Sequence, residues 1–214
     1  MSGDSGRPAT EPIGIDLVAP EVFAPMLRKL SLGAFAVGVV VMLVTSIWLS
    51  WGYAVLLGLI VAVPTLAYAM AFQRRRMWLD GTVIHAHRLV GERRIDLAGT
   101  SGAQLLVFPG RLSRIVLRVT AGQETQLVPL AMYTDAGSGR ELHLLGLRKL
   151  ADALASAPLV AAVAISEVLV AQLRAEARDA GLEERPLYRG VRLVRAQDSV
   201  SPVVLTDSQV AELV

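Results

Sequence analysis

The sequence predicts an α+β membrane protein, in which an N-terminal transmembrane helical hairpin precedes a small antiparallel β-meander domain with C-terminal helices. Three observations predict it. Residues 30–73 contain no charged side chain. The arginines at 74–76 follow at once. After them, short apolar runs alternate with turn-forming residues, which is typical of strands in a folded domain.

Composition supports this fold class and excludes several functions. The 214 residues are 53% hydrophobic but only 5% aromatic, and the mean hydropathy is +0.50. Such a composition suits membrane helices better than a large soluble core. The chain has no cysteine, which excludes disulfides, thiolate metal sites and cysteine nucleophiles. A net charge of +2 does not indicate bulk nucleic-acid binding.

The charge-free run is long enough for two spans, because roughly 20 helical residues cross a hydrocarbon core of about 30 Å. The segment SIWLSWGY (46–53) divides it, since serine and glycine favour a turn and Trp48 and Trp51 favour a membrane interface. We therefore predict helices over 31–48 and 53–72.

Small residues and one proline mark the interior of the hairpin. Ala34 and Gly38 in the first helix, with Gly58 and Ala62 in the second, form small-xxx-small faces that allow close helix approach. Pro64 is tolerated in a membrane span, where we expect a kink.

Flanking positive charges predict the orientation. Arg28 and Lys29 precede the first span, the arginines at 74–76 follow the second, and the connecting turn carries none. The positive-inside rule then places both termini in the cytoplasm of a two-span cell-membrane protein. A cleaved signal peptide is the alternative; the second span close behind and the long charged lead disfavour it.

The chain divides into five predicted parts. They are a disordered or interfacial tail (1–27), the transmembrane hairpin (28–76), a cytoplasmic β-rich domain with a closing helix (77–157), an amphipathic or apolar helix (158–182), and a C-terminal extension (183–214).

About five antiparallel strands are predicted in the β-rich domain, because the spacing is too short for parallel crossovers. Asp80-Gly81 is a tight-turn signal. In RLSRIVLRVT (111–120), alternate positions form one apolar face, as expected for a half-buried strand. The predicted strands are 82–90, 93–97, 103–108, 111–120 and 124–130.

The C-terminal part is predicted to be mainly helical. A helix over 141–156 is predicted; Ser138 and Glu141 match a capping box, and the alternative is a start several residues later. A second runs over 159–181 and stops at Gly181. Its apolar first half raises the alternative of a third span, but Glu167 interrupts it, so we expect it to pack on the sheet or on a partner.

Two further elements are predicted near the C-terminus. The segment 188–196 is a candidate late strand, and Asp207 is a candidate cap for a last short helix.

The order of hairpin, arginine cluster, WLDGTV, RRIDL and LRKLADAL resembles uncharacterised two-span membrane proteins of high-GC Gram-positive bacteria. It is also similar, more distantly, to bacterial pleckstrin-homology-like membrane proteins. The resemblance implies a pleckstrin-homology-like (PH-like) cytoplasmic β-domain and no established activity, so it supplies no catalytic residues.

No catalytic, cofactor or metal site is predicted. His85 and His87 share a strand face, and His143 is the third histidine, but no nearby acidic cluster completes a metal site. GSGR (137–140) lacks the spacing and context of a phosphate loop, and the common hydrolase motifs are absent.

Basic residues form the candidate contact site. If they converge, they give a positive face for anionic lipid or for an acidic protein partner. The alternative is that they are solvated residues balancing Glu92, Asp96 and Glu124. The candidate residues are Arg74, Arg75, Arg76, Arg93, Arg94, Arg111, Arg114 and Arg118.

We therefore expect a non-enzymatic integral membrane protein that presents a small interaction or regulatory domain at the inner face of the membrane. The alternatives are an anionic-lipid-binding PH-like module and an accessory subunit of a larger membrane complex, the latter suggested by the apolar 159–173 stretch. The expected partners are the lipid bilayer and a protein partner or second copy; no cofactor, nucleic acid or small-molecule substrate is indicated.

Overall fold

The structure is a computed structural model that describes residues 12–17, 20–48, 50–74, 76–87 and 91–214, without the side chains of 20–25, 27 and 70–74. Residues 1–11 of the predicted tail lie outside the described residues. The chain forms two compact units. One is built around two long N-terminal helices; the other contains 12–17, 77–86 and 93–214.

The first unit is an antiparallel pair of apolar helices, α1 (Pro20–Thr45) and α2 (Trp51–Arg74). Each is long and apolar enough to cross a membrane, over Arg28–Thr45 and Trp51–Ala69. Only 6% and 22% of these stretches are buried, so their apolar side chains face outward. α1 begins at Pro20, so the last part of the predicted tail (20–27) is helical and continuous with the first apolar stretch.

Small residues bring the two helices together, as predicted. A Cβ atom built on Gly38 would lie 2.8 Å from the Cβ of Ala62 and 3.0 Å from the carbonyl oxygen of Gly58. A Cβ on Gly58 would lie 2.8 Å from the carbonyl oxygen of Gly38. Pro64 lies inside α2 without ending it.

The strands of the second unit form two antiparallel sheets instead of the predicted single meander. The first has the order β1-β2-β3-β4 and the second the order β8-β7-β6-β5-β9. The strands are β1 (Ile13–Gly14), β2 (Met77–Asp80), β3 (Val83–His87), β4 (Glu92–Asp96), β5 (Gly102–Phe108), β6 (Leu112–Ala121), β7 (Glu124–Thr134), β8 (Gly139–Glu141) and β9 (Val203–Val204).

Part of the predicted disordered tail belongs to this fold. β1 pairs with β2, and the side chain of Ile15 is fully buried. The Asp16 carboxylate accepts the Met77 N–H at 3.1 Å. The prediction of disorder is therefore wrong for 12–17, because pairing with a strand distant in sequence compensates for the weak local signal.

The predicted alternation of β6 is confirmed. Ser113, Ile115, Leu117 and Val119 are each fully buried, whereas Arg114 is exposed. The turn at Asp80-Gly81 is also present, with Gly81 at φ +58°.

Four helices complete the unit: α3 (Leu144–Ala155), α4 (Val160–Ala177), α5 (Pro186–Arg195) and α6 (Asp207–Glu212). α4 buries Ala162, Ile165, Val168 and Leu169 within its own unit. The 158–182 helix therefore packs on the sheet and on α3, which resolves the alternatives left open for it.

The predicted late strand over 188–196 is wrong. This segment is α5, which buries Leu187, Tyr188, Val191 and Val194. These positions have helical spacing, and Arg189, Arg192 and Arg195 recur every third residue as well, so the strand prediction missed a helical period present in the sequence. The C-terminal extension therefore contributes to the core of the unit.

The predicted helix ends also need correction. Glu141 belongs to β8, and α3 begins after His143, so Ser138 and Glu141 do not form a capping box. α4 ends at Ala177, before Gly181, and Asp179 takes the left-handed conformation at φ 52°.

At α6 the cap is one residue earlier than predicted. The side chain of Thr206, not Asp207, accepts the N–H of Gln209. The hydroxyl of Thr206 reaches the third helical N–H, which is the usual geometry of such a cap.

The close approach of α1 and α2 predicts that Gly38→Val lowers the free energy of unfolding by about 1–3 kcal/mol, because the new side chain overpacks the crossing. The measurement is detergent-solubilised unfolding of the full chain. Gly33→Val in the same helix is the control, since a Cβ there meets nothing within 4 Å. Equal effects of the two substitutions would contradict the packing.

Candidate functional site

The five-stranded sheet has one face covered by helices. A Cβ on Gly190 of α5 would lie 3.4 Å from Cδ1 of Ile115 on β6. The ring of Tyr188 meets the ring of Tyr133 edge-on, with centroids 5.1 Å apart. This inner face is the core of the unit.

The register of the strands determines what lies on the opposite, outer face. Side chains of directly paired residues lie on the same face of a sheet. Phe108 pairs with Arg114, Arg114 with Met132, and Met132 with Arg140. Three further outer rows are Val204–Leu106–Val116–Pro129, Gln104–Arg118–Leu127 and Leu112–Thr134. We call these four rows the arginine face; a fifth row on the same side, Gly102–Thr120–Thr125, lies beyond Arg118.

The charged residues of the arginine face are all arginine. Arg118 donates a hydrogen bond to the Oε1 atom of Gln104. The guanidinium of Arg114 lies 5.5 Å from the centroid of the Phe108 ring, a cation–π contact. Among the residues that the structure describes, neither these two nor Arg140 forms an ion pair. Within the described part of the chain, no carboxylate offsets their positive charges.

Other arginines of the same unit have acidic partners. Arg185 lies 2.8 Å from Glu141 and Arg195 lies 3.1 Å from Asp135. The remaining pairs join Arg93 with Glu124 and Arg192 with Glu183. The last of these lies beside an open cavity of about 580 Å³ along α5, which is lined by arginine and glutamate together. What distinguishes the arginine face is that strand register places Arg114, Arg118 and Arg140 on one face, without an acidic residue in its rows.

Apolar side chains share the arginine face with these cations. Leu112 is 48% exposed, Leu127 43% and Val204 39%. Four residues along a strand span about 13 Å, and two strand spacings about 10 Å. Arg114, Arg118 and Arg140 thus stand well apart, with large apolar side chains between and beside them.

The predicted contact arginines do not all converge. Arg114 and Arg118 lie on the arginine face. Arg93, on β4, donates to the Thr125 carbonyl at 3.1 Å and is 3.9 Å from Glu124, so its charge is partly offset. Arg94 also lies on β4, and Arg111 is exposed in the turn before β6.

The arginines that follow the hairpin belong to the other unit. Arg74 is the last residue of α2 and Arg76 is exposed, while Arg75 lies outside the described residues. Residue Arg140 was missed by the prediction. β8 is too short to show periodicity, so only its pairing with β7 places Arg140 beside Arg114.

The histidines do not form a metal site in the described part of the chain. His85 stacks on Trp78 with ring centroids 5.1 Å apart, and His143 precedes α3. Among the described residues, no group of three histidine or acidic side chains is arranged to hold a metal ion.

A buried polar cluster centres on Glu141. Its carboxylate accepts the Tyr133 hydroxyl at 2.6 Å, the Gln172 amide at 2.8 Å and the Arg185 guanidinium at 2.8 Å. Gln172 in turn accepts the Leu187 N–H at 3.1 Å. Burial, then the charge of Glu141, raises the pKa of Tyr133, so this phenol stays protonated as a donor. The cluster joins β7, β8 and α4 to the start of α5.

Glu176 lies within electrostatic reach of this cluster. Burial raises the pKa of its carboxyl, the charge of Glu141 raises it further, and Arg185 lowers it. The Oε2 atom is buried without a hydrogen-bond partner among the described residues. The charged form of Glu176 is therefore unfavourable in the folded state.

Comparison with protein-family models, curated proteins and solved structures finds no match to this chain.

The Glu141 cluster predicts that Glu141→Gln lowers the free energy of unfolding by about 2–3 kcal/mol, because Arg185 loses its counter-charge and one acceptor becomes a donor. Chemical denaturation of the full chain in detergent measures this. Glu124→Gln is the control: Glu124 is exposed and lies 3.9 Å from Arg93, so a loss of about 0–1 kcal/mol is expected. A loss at Glu141 no larger than this would show that the cluster is not stabilising.

The position of Glu176 predicts a pH effect with a defined sign. Its folded pKa is raised, so the folded state loses stability as pH rises from the unfolded value of 4.5 through the folded value. Glu176→Gln should raise the thermal midpoint at neutral pH and flatten its decline with pH, as followed by circular dichroism. Glu167→Gln, exposed on the same helix, is the control; an identical response would overturn the prediction.

Proposed function

We propose that this chain is a non-enzymatic integral membrane protein, whose α1–α2 hairpin spans the bilayer with both termini in the cytoplasm. The observation that carries the proposal is the outward-facing apolar surface of two closely packed helices. Leu32, Phe35 and Ile60 are each at least 59% exposed, and such a surface is stable in lipid but costly in water.

Flanking charge supports the topology. Arg28 and Lys29 lie near the start of the first span, and Arg74 and Arg76 lie near the end of the second. Ile47 and Trp48 form an uncharged connection, 74% and 86% exposed. Positive residues are retained on the cytoplasmic side, so this arrangement favours a short external turn.

The β-rich unit would then act as an interaction module at the inner face of the membrane. Its antiparallel strands, followed by α3, support the proposed likeness to PH-like domains. The division into two sheets and the three further helices are additions to that pattern. The accessory-subunit alternative has less support, because α4 buries Ala162, Ile165, Val168 and Leu169 within its own unit, while Val160 and Val163 stay exposed.

Membrane insertion and topology can be tested together, because the chain lacks cysteine. We expect the full chain to stay in the membrane pellet after alkaline carbonate treatment. With an impermeant maleimide, Ile47→Cys should be labelled in intact cells, and Val200→Cys only after permeabilisation. Carbonate release would overturn insertion. Labelling of Val200→Cys in intact cells would overturn the orientation.

A further inference from the structure

We infer that the arginine face binds the anionic surface of a lipid bilayer, with the outer face of the five-stranded sheet lying against the headgroups. This inference rests on the proposed function, since the hairpin supplies the tether, and it names the partner of the β-rich unit.

Charge is the first argument. Arg114, Arg118 and Arg140 are directed to one face without carboxylate partners among the described residues, whereas Arg192 and Arg195 of α5 form ion pairs with Glu183 and Asp135. Basic residues near an anionic leaflet are attracted to it, and an unpaired guanidinium keeps its full charge for that attraction.

Spacing favours a surface over a single small anion. The backbone positions of the arginines are about 10 Å (Arg114 and Arg140), 13 Å (Arg114 and Arg118) and 16 Å (Arg118 and Arg140) apart on the sheet, which favours several separate anions over one phosphate. Two cavities that the structure describes in this unit open beside α5 and along the β5 edge, and none of the three arginines lines either of them. A flat array of separated cations matches a flat array of separated anions.

The apolar members of the face give the second argument. Leu112, Leu127 and Val204 are partly exposed between the arginines. At a bilayer, cationic groups contact headgroups while neighbouring apolar side chains reach the acyl boundary, the same division of roles as in interfacial helices. An acidic protein partner could also bind the arginines. To match the whole face, however, it would need apolar side chains placed opposite Leu112, Leu127 and Val204.

Because the hairpin would tether the β-rich unit to the membrane, a small contact between the arginine face and the headgroups is sufficient. Three basic side chains and a few apolar ones bind a membrane only weakly by themselves. A module linked to its own membrane has an effective concentration in the millimolar range, so a weak contact is populated. The face therefore works as an orienting contact and not as the anchor.

The test uses the full chain in lipid nanodiscs, with Leu127→Cys carrying an environment-sensitive fluorophore. Leu145→Cys, 55% exposed on α3, is the control position. In discs of roughly one-third phosphatidylglycerol, we expect a blue shift and quenching by brominated lipid at 127 but not at 145. Both signals should fall in about 1 M salt, where the screening length is about 3 Å.

A charge variant identifies the arginines responsible. Arg114→Gln, Arg118→Gln and Arg140→Gln combined should reduce the lipid-contacting population at 127 by at least about tenfold. The control combines Arg148→Gln, Arg174→Gln and Arg178→Gln, which removes the same charge from exposed helical positions. Circular dichroism should show both variants folded.

The outcomes separate this inference from the proposed function. A chain that does not remain in the discs overturns the membrane proposal. A chain that remains in the discs, with position 127 unquenched or equally quenched in neutral discs, overturns the arginine face alone. Equal loss in the two charge variants would show a net-charge effect and would also overturn it.

Discussion

The buried alternation of β6 is the constraint on which the rest of the second unit depends. Ser113, Ile115, Leu117 and Val119 face the core, where Ile115 meets α5. A shift of one residue would bury arginine and expose this apolar set, so the register is strongly specified. Because β6 pairs with both β5 and β7, the same register directs the outer residues of three strands. The charged face is thus a consequence of how the core is packed.

The Glu141 cluster fixes the position of β8 at the edge of the five-stranded sheet. It ties the short strand β8 to α4 and to the segment entering α5 through hydrogen bonds with Tyr133, Gln172 and Arg185. A strand of three residues has little pairing energy of its own, so the buried side-chain bonds specify where it lies. That position in turn places Arg140 in the outer row of β7 and β8.

The two units arrange their apolar and charged residues in opposite ways. In the hairpin, glycine allows α1 and α2 to approach closely while large apolar side chains face outward. In the β-rich unit, apolar residues face inward and uncompensated arginine lies outside. The proposed membrane protein needs both surfaces. The apolar helix surface is stable within the lipid bilayer, and the arginine face responds to the charge of the lipid headgroups. Because the second contact is weak, its occupancy depends on salt and on lipid composition.

Local signals in the sequence were sufficient for the hairpin, its small-residue faces, most of the longer strands and the alternation of β6. Each of these rests on a period or composition that repeats over many residues. The short elements were decided by the tertiary structure. β1, β8 and β9 span two or three residues, too few for a period, and they exist through pairing with distant strands. In contrast, α5 was mistaken for a strand although its arginines recur every third residue, a helical spacing present in the sequence, and its apolar side is buried against the sheet. Arg140 joins Arg114 and Arg118 only because strand pairing places residues distant in sequence on one face.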